Sequence, residues 1–169
     1  MRLSRLTTLA TLAALATVLA CGTDYYSGPT SAVDIEKDTY AAALGVDIPS
    51  MTKNADGVYF KDKTVGTGTT VASGDSVAVW YIGYLPNGQI FDPGNYPGNL
   101  AGRDTASLRF KIGTADIIPG FSSGVTGMKV GGRRLFIVPA SLAYGANGNG
   151  PIPRFANLVF DVQVNSGKF

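Results

Sequence analysis

The chain has 169 residues, of which 45% are hydrophobic and 15% charged, a balance that fits one folded domain with short additions and excludes a disordered chain. It has no histidine and one cysteine, which removes imidazole catalysis, most protein zinc sites and any intrachain disulfide. The formal charge of +2 arises in residues 1–20, which carry Arg2 and Arg5 and no acid; the remainder is neutral, so no nucleic-acid partner is expected.

Residues 1–20 have a basic start and then an apolar run from Leu6 to Ala20. That run is too short for a spanning helix, which needs about 20 apolar residues. It has the anatomy of a secretory signal. Val18-Leu19-Ala20-Cys21-Gly22 resembles a bacterial lipobox. The resemblance implies cleavage before Cys21 and lipidation there, palmitate included, with a stable membrane anchor, each buried CH₂ adding about 0.8 kcal/mol. Gly22, rather than Asp, implies an outer-membrane lipoprotein facing the periplasm by the enterobacterial sorting pattern.

Residues 23–30 are polar and broken by Pro and Gly, as in a tether. Residues 32–44 (AVDIEKDTYAAAL) have helical composition, with acids early and Gly45 as a stop. One short helix is predicted there, serving as a spacer or as a pad against the domain. The expected organisation is a signal over 1–20, a tether with one short helix over 21–56 and one domain over 57–169.

The domain reads as β-rich. Strands are predicted at 58–61, 76–85, 89–91 and 108–112, and Asn87-Gly88 supplies a hairpin turn. The Gly/Thr-rich stretch 65–74 is a loop, and its glycine spacing does not fit a phosphate-binding fingerprint. Residues 95–107 form a long polar loop. Pro119 suits the first turn of a helix, and Phe121, Val125 and Met128 fall at helical spacing on one face. Arg133 to Val138 is a strand whose two arginines read as a solvated face. Pro139 to Gly145 is a tight corner that holds Tyr144 at its rim. Residues 157–165 alternate as a half-buried strand that carries Phe160.

In order, the chain carries Trp80-Tyr81-Ile82-Gly83, Phe91-Asp92, Leu108 with Phe110 and Ile112-Gly113, Ile117-Ile118-Pro119-Gly120-Phe121, Tyr144-Gly145 and Leu158-Val159-Phe160-Asp161-Val162. This set resembles the FKBP-type peptidyl-prolyl isomerases, the macrolide-binding immunophilins, over about residues 57–164. The resemblance implies an α+β fold, an antiparallel sheet of about five strands wrapped around one short α-helix. It implies catalytic positions at Tyr81, Phe91, Asp92, Tyr144 and Phe160. It implies substrate-binding positions at Leu108, Ile117, Ile118, Phe121 and Ile152. Phe121 stands at the pocket floor, where the best-studied members have Trp. Arg103 matches a basic position that pairs with Asp92. The loop 146–151 is shorter than in relatives and lacks their His.

The implied reaction is cis-trans isomerisation (rotamase activity) at prolyl bonds of exported proteins in the bacterial envelope. It needs no metal or other cofactor. Expected partners are proline-containing polypeptides, macrolides of the type the family binds, and the membrane through Cys21; the protein is expected to be a monomer. The alternatives are a weakly or non-catalytic chaperone or scaffold on the same fold, and an envelope assembly lipoprotein that works through its 95–107 loop and tether.

Overall fold

Runs of Val, Ile and aromatic residues build the sheet, because their branched or flat side chains pack well on a pleated surface. A computed structural model of the chain describes residues 26–94 and 107–167. Cys21, the signal segment, Arg103 and nearly all of the long polar loop lie outside the described residues. In chain order the strands are β1 (Thr52–Lys53), β2 (Tyr59–Thr64), β3 (Ser76–Tyr84), β4 (Ile90–Asp92) and β5 (Leu108–Lys111). The helix α1 (Pro119–Val125), β6 (Arg133–Val138) and β7 (Leu158–Gly167) follow.

Every pairing is antiparallel, in the order β1-β2-β6-β7-β3, and β4 and β5 share the free edge of β3 at its two ends. The α+β architecture is the expected one. The sheet has seven strands among the described residues rather than about five, because the two-residue β1 and three-residue β4 join as short edges.

The helix α1 has Pro119 in its first turn, where the missing N–H leaves no bond unmade. Its sequence PGFSSGV is a poor helix former. Packing compensates. A Cβ on Gly120 would lie 2.1 Å from Val138 Cγ1, and one on Gly124 would lie 2.5 Å from the Phe136 ring. The two glycines therefore let the helix sit directly on β6.

Arg134 holds the far end of the helix. Its Nη1 donates to the carbonyls of Gly124 at 3.0 Å and Thr126 at 3.2 Å, while Nε and Nη2 form a fork on the Asp62 carboxylate at 2.7 and 3.1 Å. Its side chain is 5% exposed. The expected solvated face is thus corrected, because a planar guanidinium satisfies four acceptors that the fold brings together. Arg133 remains partly exposed and donates to Asp161 at 2.8 Å, where Lys63 donates at the same distance.

Two apolar cores share the sheet. One lies between the sheet and α1 and contains Val77, Val79, Phe121, Val125, Phe136, Leu158, Phe160 and Val162. The other lies on the opposite face, where Ile35 and Leu44 pack on Tyr59, Leu135, Ile137 and Val159. The strand read as half-buried is therefore covered on both faces over residues 158–162.

What covers it is the segment expected to be a spacer or a pad against the domain. Residues 32–44 do not form the expected α-helix; they make two single 3₁₀ turns, Ile35–Lys37 and Ala42–Leu44. Two tertiary bonds and one local bond take the groups between the turns. Asp38 accepts from Asn157 Nδ2 at 2.8 Å, Tyr40 donates to the Ile35 carbonyl at 3.1 Å, and the Ala41 N–H donates to the Pro86 carbonyl at 2.8 Å. Burying Ile35 and Leu44 favours this arrangement by roughly 1.5–3 kcal/mol each.

Candidate functional site

A cavity of about 420 Å³ opens between α1, the β3–β4 hairpin and the corner after β6. Its floor is Phe121, 2% exposed. That ring meets the edges or faces of Tyr81, Phe110, Phe136 and Phe160 at centroid distances of 5.5, 5.6, 5.6 and 5.1 Å. Such T-shaped contacts fix the ring as well as burying it. Phe91 stands edge-on to Phe160 at 5.7 Å and forms one wall. Leu108, Ile117 and Ile118 form the other, and Tyr144 closes the rim.

Local sequence places each wall. The Asn87-Gly88 turn sends β4 back along β3, so that Asp92 faces Gly83. A Cβ on Gly83 would lie 2.5 Å from Phe91 Cζ. The bare Cα of Gly83 is the seat on which the Phe91 ring rests. Gly94 then turns the chain with φ of 52°, and a Cβ there would meet the Tyr81 carbonyl oxygen at 2.0 Å. Only glycine combines that backbone angle with that approach.

The Tyr81 hydroxyl donates to Asp92 Oδ2 at 2.6 Å, and the Gly94 N–H donates to Oδ1 at 2.9 Å. Both carboxylate oxygens are thereby held. Burial pushes the Tyr81 hydroxyl well above its ordinary pKa of 10.0, and the bond to Asp92, its charge and nearby Tyr144 act the same way. Tyr81 stays a protonated donor at any ordinary pH.

At the rim, the corner after Pro139 is tied by Gly145 N–H to the Ala140 carbonyl at 2.9 Å, and Phe155 N–H reaches the Gly145 carbonyl at 2.7 Å. Asn157 braces it from behind. Its Oδ1 accepts from the Ala140 N–H at 3.1 Å, and its Nδ2 donates to the Val33 carbonyl and to Asp38. Residues 33–38 thus support the corner that presents Tyr144. The Ile118 carbonyl accepts from the Phe121 N–H at 3.0 Å, and among the described residues its own N–H meets no acceptor.

Of the sequence-derived positions, Tyr81, Phe91, Asp92, Leu108, Ile117, Ile118, Phe121, Tyr144 and Phe160 line this cavity. Ile152 does not; it is 5% exposed and lies in the core beneath the loop. Ala115, Asp116 and Pro119 line it as well. Asp116 had no signal in the sequence beyond a polar residue in a turn. No cluster of metal-ligating side chains occurs among the described residues.

The arrangement is an aromatic cup with its one central carboxylate already bonded. Among the described residues it has no nucleophile with a base beside it. It can seat a small apolar ring, keep water from it and offer donors at the rim.

Known proteins share this architecture. The family model for FKBP-type peptidyl-prolyl cis-trans isomerases matches residues 67–165. The FK506-binding protein 4 of Gibberella zeae is 44% identical over 112 residues, which are 66% of this chain and 21% of that protein. The FK506-binding protein 4 of Dictyostelium discoideum is 43% identical over 115 residues, 65% of this chain and 28% of that protein. The chain therefore spans under a third of the length of these relatives.

Among solved structures, a peptidyl-prolyl cis-trans isomerase from Pseudomonas syringae superposes with a TM-score of 0.61 at 29% identity, covering 76% of this chain and 87% of that one. FkpA from Escherichia coli gives 0.60 at 30% identity, covering 70% and 51%. On the match across residues 67–165, the shared sheet and the aromatic cavity, this chain belongs to the FKBP-type peptidyl-prolyl cis-trans isomerase family.

Proposed function

We propose that the chain is a peptidyl-prolyl cis-trans isomerase that assists the folding of exported proteins in the bacterial envelope. The observation that carries this reading is the cavity floored by Phe121 and walled by Tyr81, Phe91 and Phe160. A prolyl amide resists rotation by about 18–20 kcal/mol because resonance keeps it planar. The planar form is the more dipolar one, and water stabilises it. A cup that seats the pyrrolidine ring over Phe121 withholds that water and favours the twisted amide. The Tyr144 hydroxyl and the Ile118 N–H orient the flanking carbonyls. Tyr81 keeps the Asp92 carboxylate pointed at the amide rather than at solvent. No step needs a metal, a covalent intermediate or histidine.

The envelope location rests on residues 1–20 and Cys21: a cleaved signal, a lipid on Cys21 and a monomer held at the outer membrane, with residues 57–169 as the isomerase domain. The FK506 in the relatives' names supports macrolides of that type as competing ligands. Two measurements test the proposal. A proline-peptide isomerisation assay should show acceleration by the full chain; chaperone activity without acceleration would favour a non-catalytic binding module. Cys21→Ser should move the protein from the membrane fraction to the soluble one, and unchanged fractionation would reject the anchor.

A further inference from the structure

A second and larger groove, of about 860 Å³, lies on the far side of Ala115, Ile117 and Pro119. Those three residues line both cavities, so the two are one surface divided by a ridge. Ser73, Ala55, Phe60 and Ile112 also line the larger groove.

The chemistry of this groove is selective. Its hydroxyls are largely bound within the protein. Thr126 donates to the Ser122 carbonyl at 2.8 Å, Thr114 to the Lys111 carbonyl at 3.0 Å, and Ser123 to Asp56 at 2.5 Å. Among the described residues, Asp56 is the only charged one in the lining. Phe60 is held from behind by the Arg134 guanidinium, 4.1 Å from its ring centroid. What remains to face a ligand is mainly apolar.

We infer that this groove binds the polypeptide substrate itself, taking an uncharged apolar side chain a few residues from the proline. The inference rests on the first cavity being the prolyl site. A polypeptide with its proline seated there must leave over the rim. An extended chain advances about 3.3 Å per residue, so about two residues span a ridge one side chain wide and the next side chain reaches the groove. Continuity with the prolyl cavity and the lack of basic side chains select such a segment over an anionic ligand. The groove makes the enzyme prefer unfolded chains with an apolar residue near the proline, which are the chains exposed during folding.

The test uses the full chain and three peptides: a four-residue Xaa-Pro substrate, and the same substrate extended by a leucine-containing or a serine-only segment at either end. The wild type should favour the leucine extension at one end by roughly tenfold in kcat/KM, as burial of one apolar side chain allows. Ser73→Arg and Ala55→Arg, both in the lining of this groove and both exposed, should abolish that gain and leave the short peptide's kcat/KM within about twofold. Equal rates on leucine and serine extensions in the wild type would overturn the groove while leaving the prolyl site standing. So would a gain that survives both variants, or variants that change only the oligomeric state, which would make the groove a self-association face. No turnover of the short peptide would overturn the prolyl site and this inference together.

Discussion

Tyr81 on β3 and Asp92 on β4 are joined by a hydrogen bond of 2.6 Å inside the aromatic cavity. The bond fixes the Asp92 carboxylate in the cavity and uses the phenol that packs on the Phe121 floor. Replacing Tyr81 by Phe keeps the ring and removes the donor. We expect Tyr81→Phe to lower stability by about 1 kcal/mol and kcat/KM by roughly tenfold. Chemical denaturation and a peptide isomerisation assay measure the two.

Gly83 provides the second prediction. The Phe91 ring rests on its Cα, and a Cβ would lie 2.5 Å from the ring. Phe91 is half-buried, so it can swing toward solvent rather than disrupt the core. Gly83→Ala should therefore raise KM several-fold, with a loss of stability of about 1 kcal/mol, at the low end for overpacking. A melting curve beside the kinetics separates the two effects.

Arg134 ties Asp62 to the last carbonyls of α1. A lysine ammonium is a point charge and cannot serve the carboxylate and the helix end together. We expect Arg134→Lys to cost about 2 kcal/mol. Because α1 carries Phe121, activity should fall along with stability, and urea denaturation at neutral pH gives the stability change.

Asp161 sets the response to acid. Burial disfavours its charge, but hydrogen bonds from Arg133 and Lys63, with their charges, outweigh burial and hold its carboxyl below the ordinary 3.8. A carboxyl depressed on folding contributes stability that is present above its unfolded pKa. That contribution is lost as pH falls through the lower, folded value. Stability should drop below about pH 4, and Asp161→Asn should flatten the drop while costing roughly 2 kcal/mol at pH 7. Denaturant midpoints measured between pH 3 and 7 check both.

Much of the fold was legible because local chemistry and tertiary need agree. Pro119 suits the first turn of a helix, and Asn87-Gly88 can turn a hairpin. The β3 run is long and apolar enough to be central. Residues 32–44 failed as a helix for the opposite reason. Asp38 and Ala41 bond to Asn157 and Pro86, far from them in the chain, and no local propensity records those bonds. Arg134 looked like a surface charge because its acceptors converge on it only in the folded chain. In the site, aromatic residues in family order were readable. Ile152 was not, since an apolar residue in a loop fits a core as well as a pocket, and only packing decides between them.

The central claim is that an aromatic cup, without metal or base, lowers the barrier to prolyl rotation. The most direct measurement is the cis-to-trans rate of a four-residue Xaa-Pro peptide with the full chain and with Phe160→Leu, which keeps an apolar residue of lower volume beside Phe121. The account predicts a rate that rises linearly with wild-type concentration and falls at least tenfold in the variant. A wild-type rate equal to that in buffer, from protein with an intact melting transition, would contradict it.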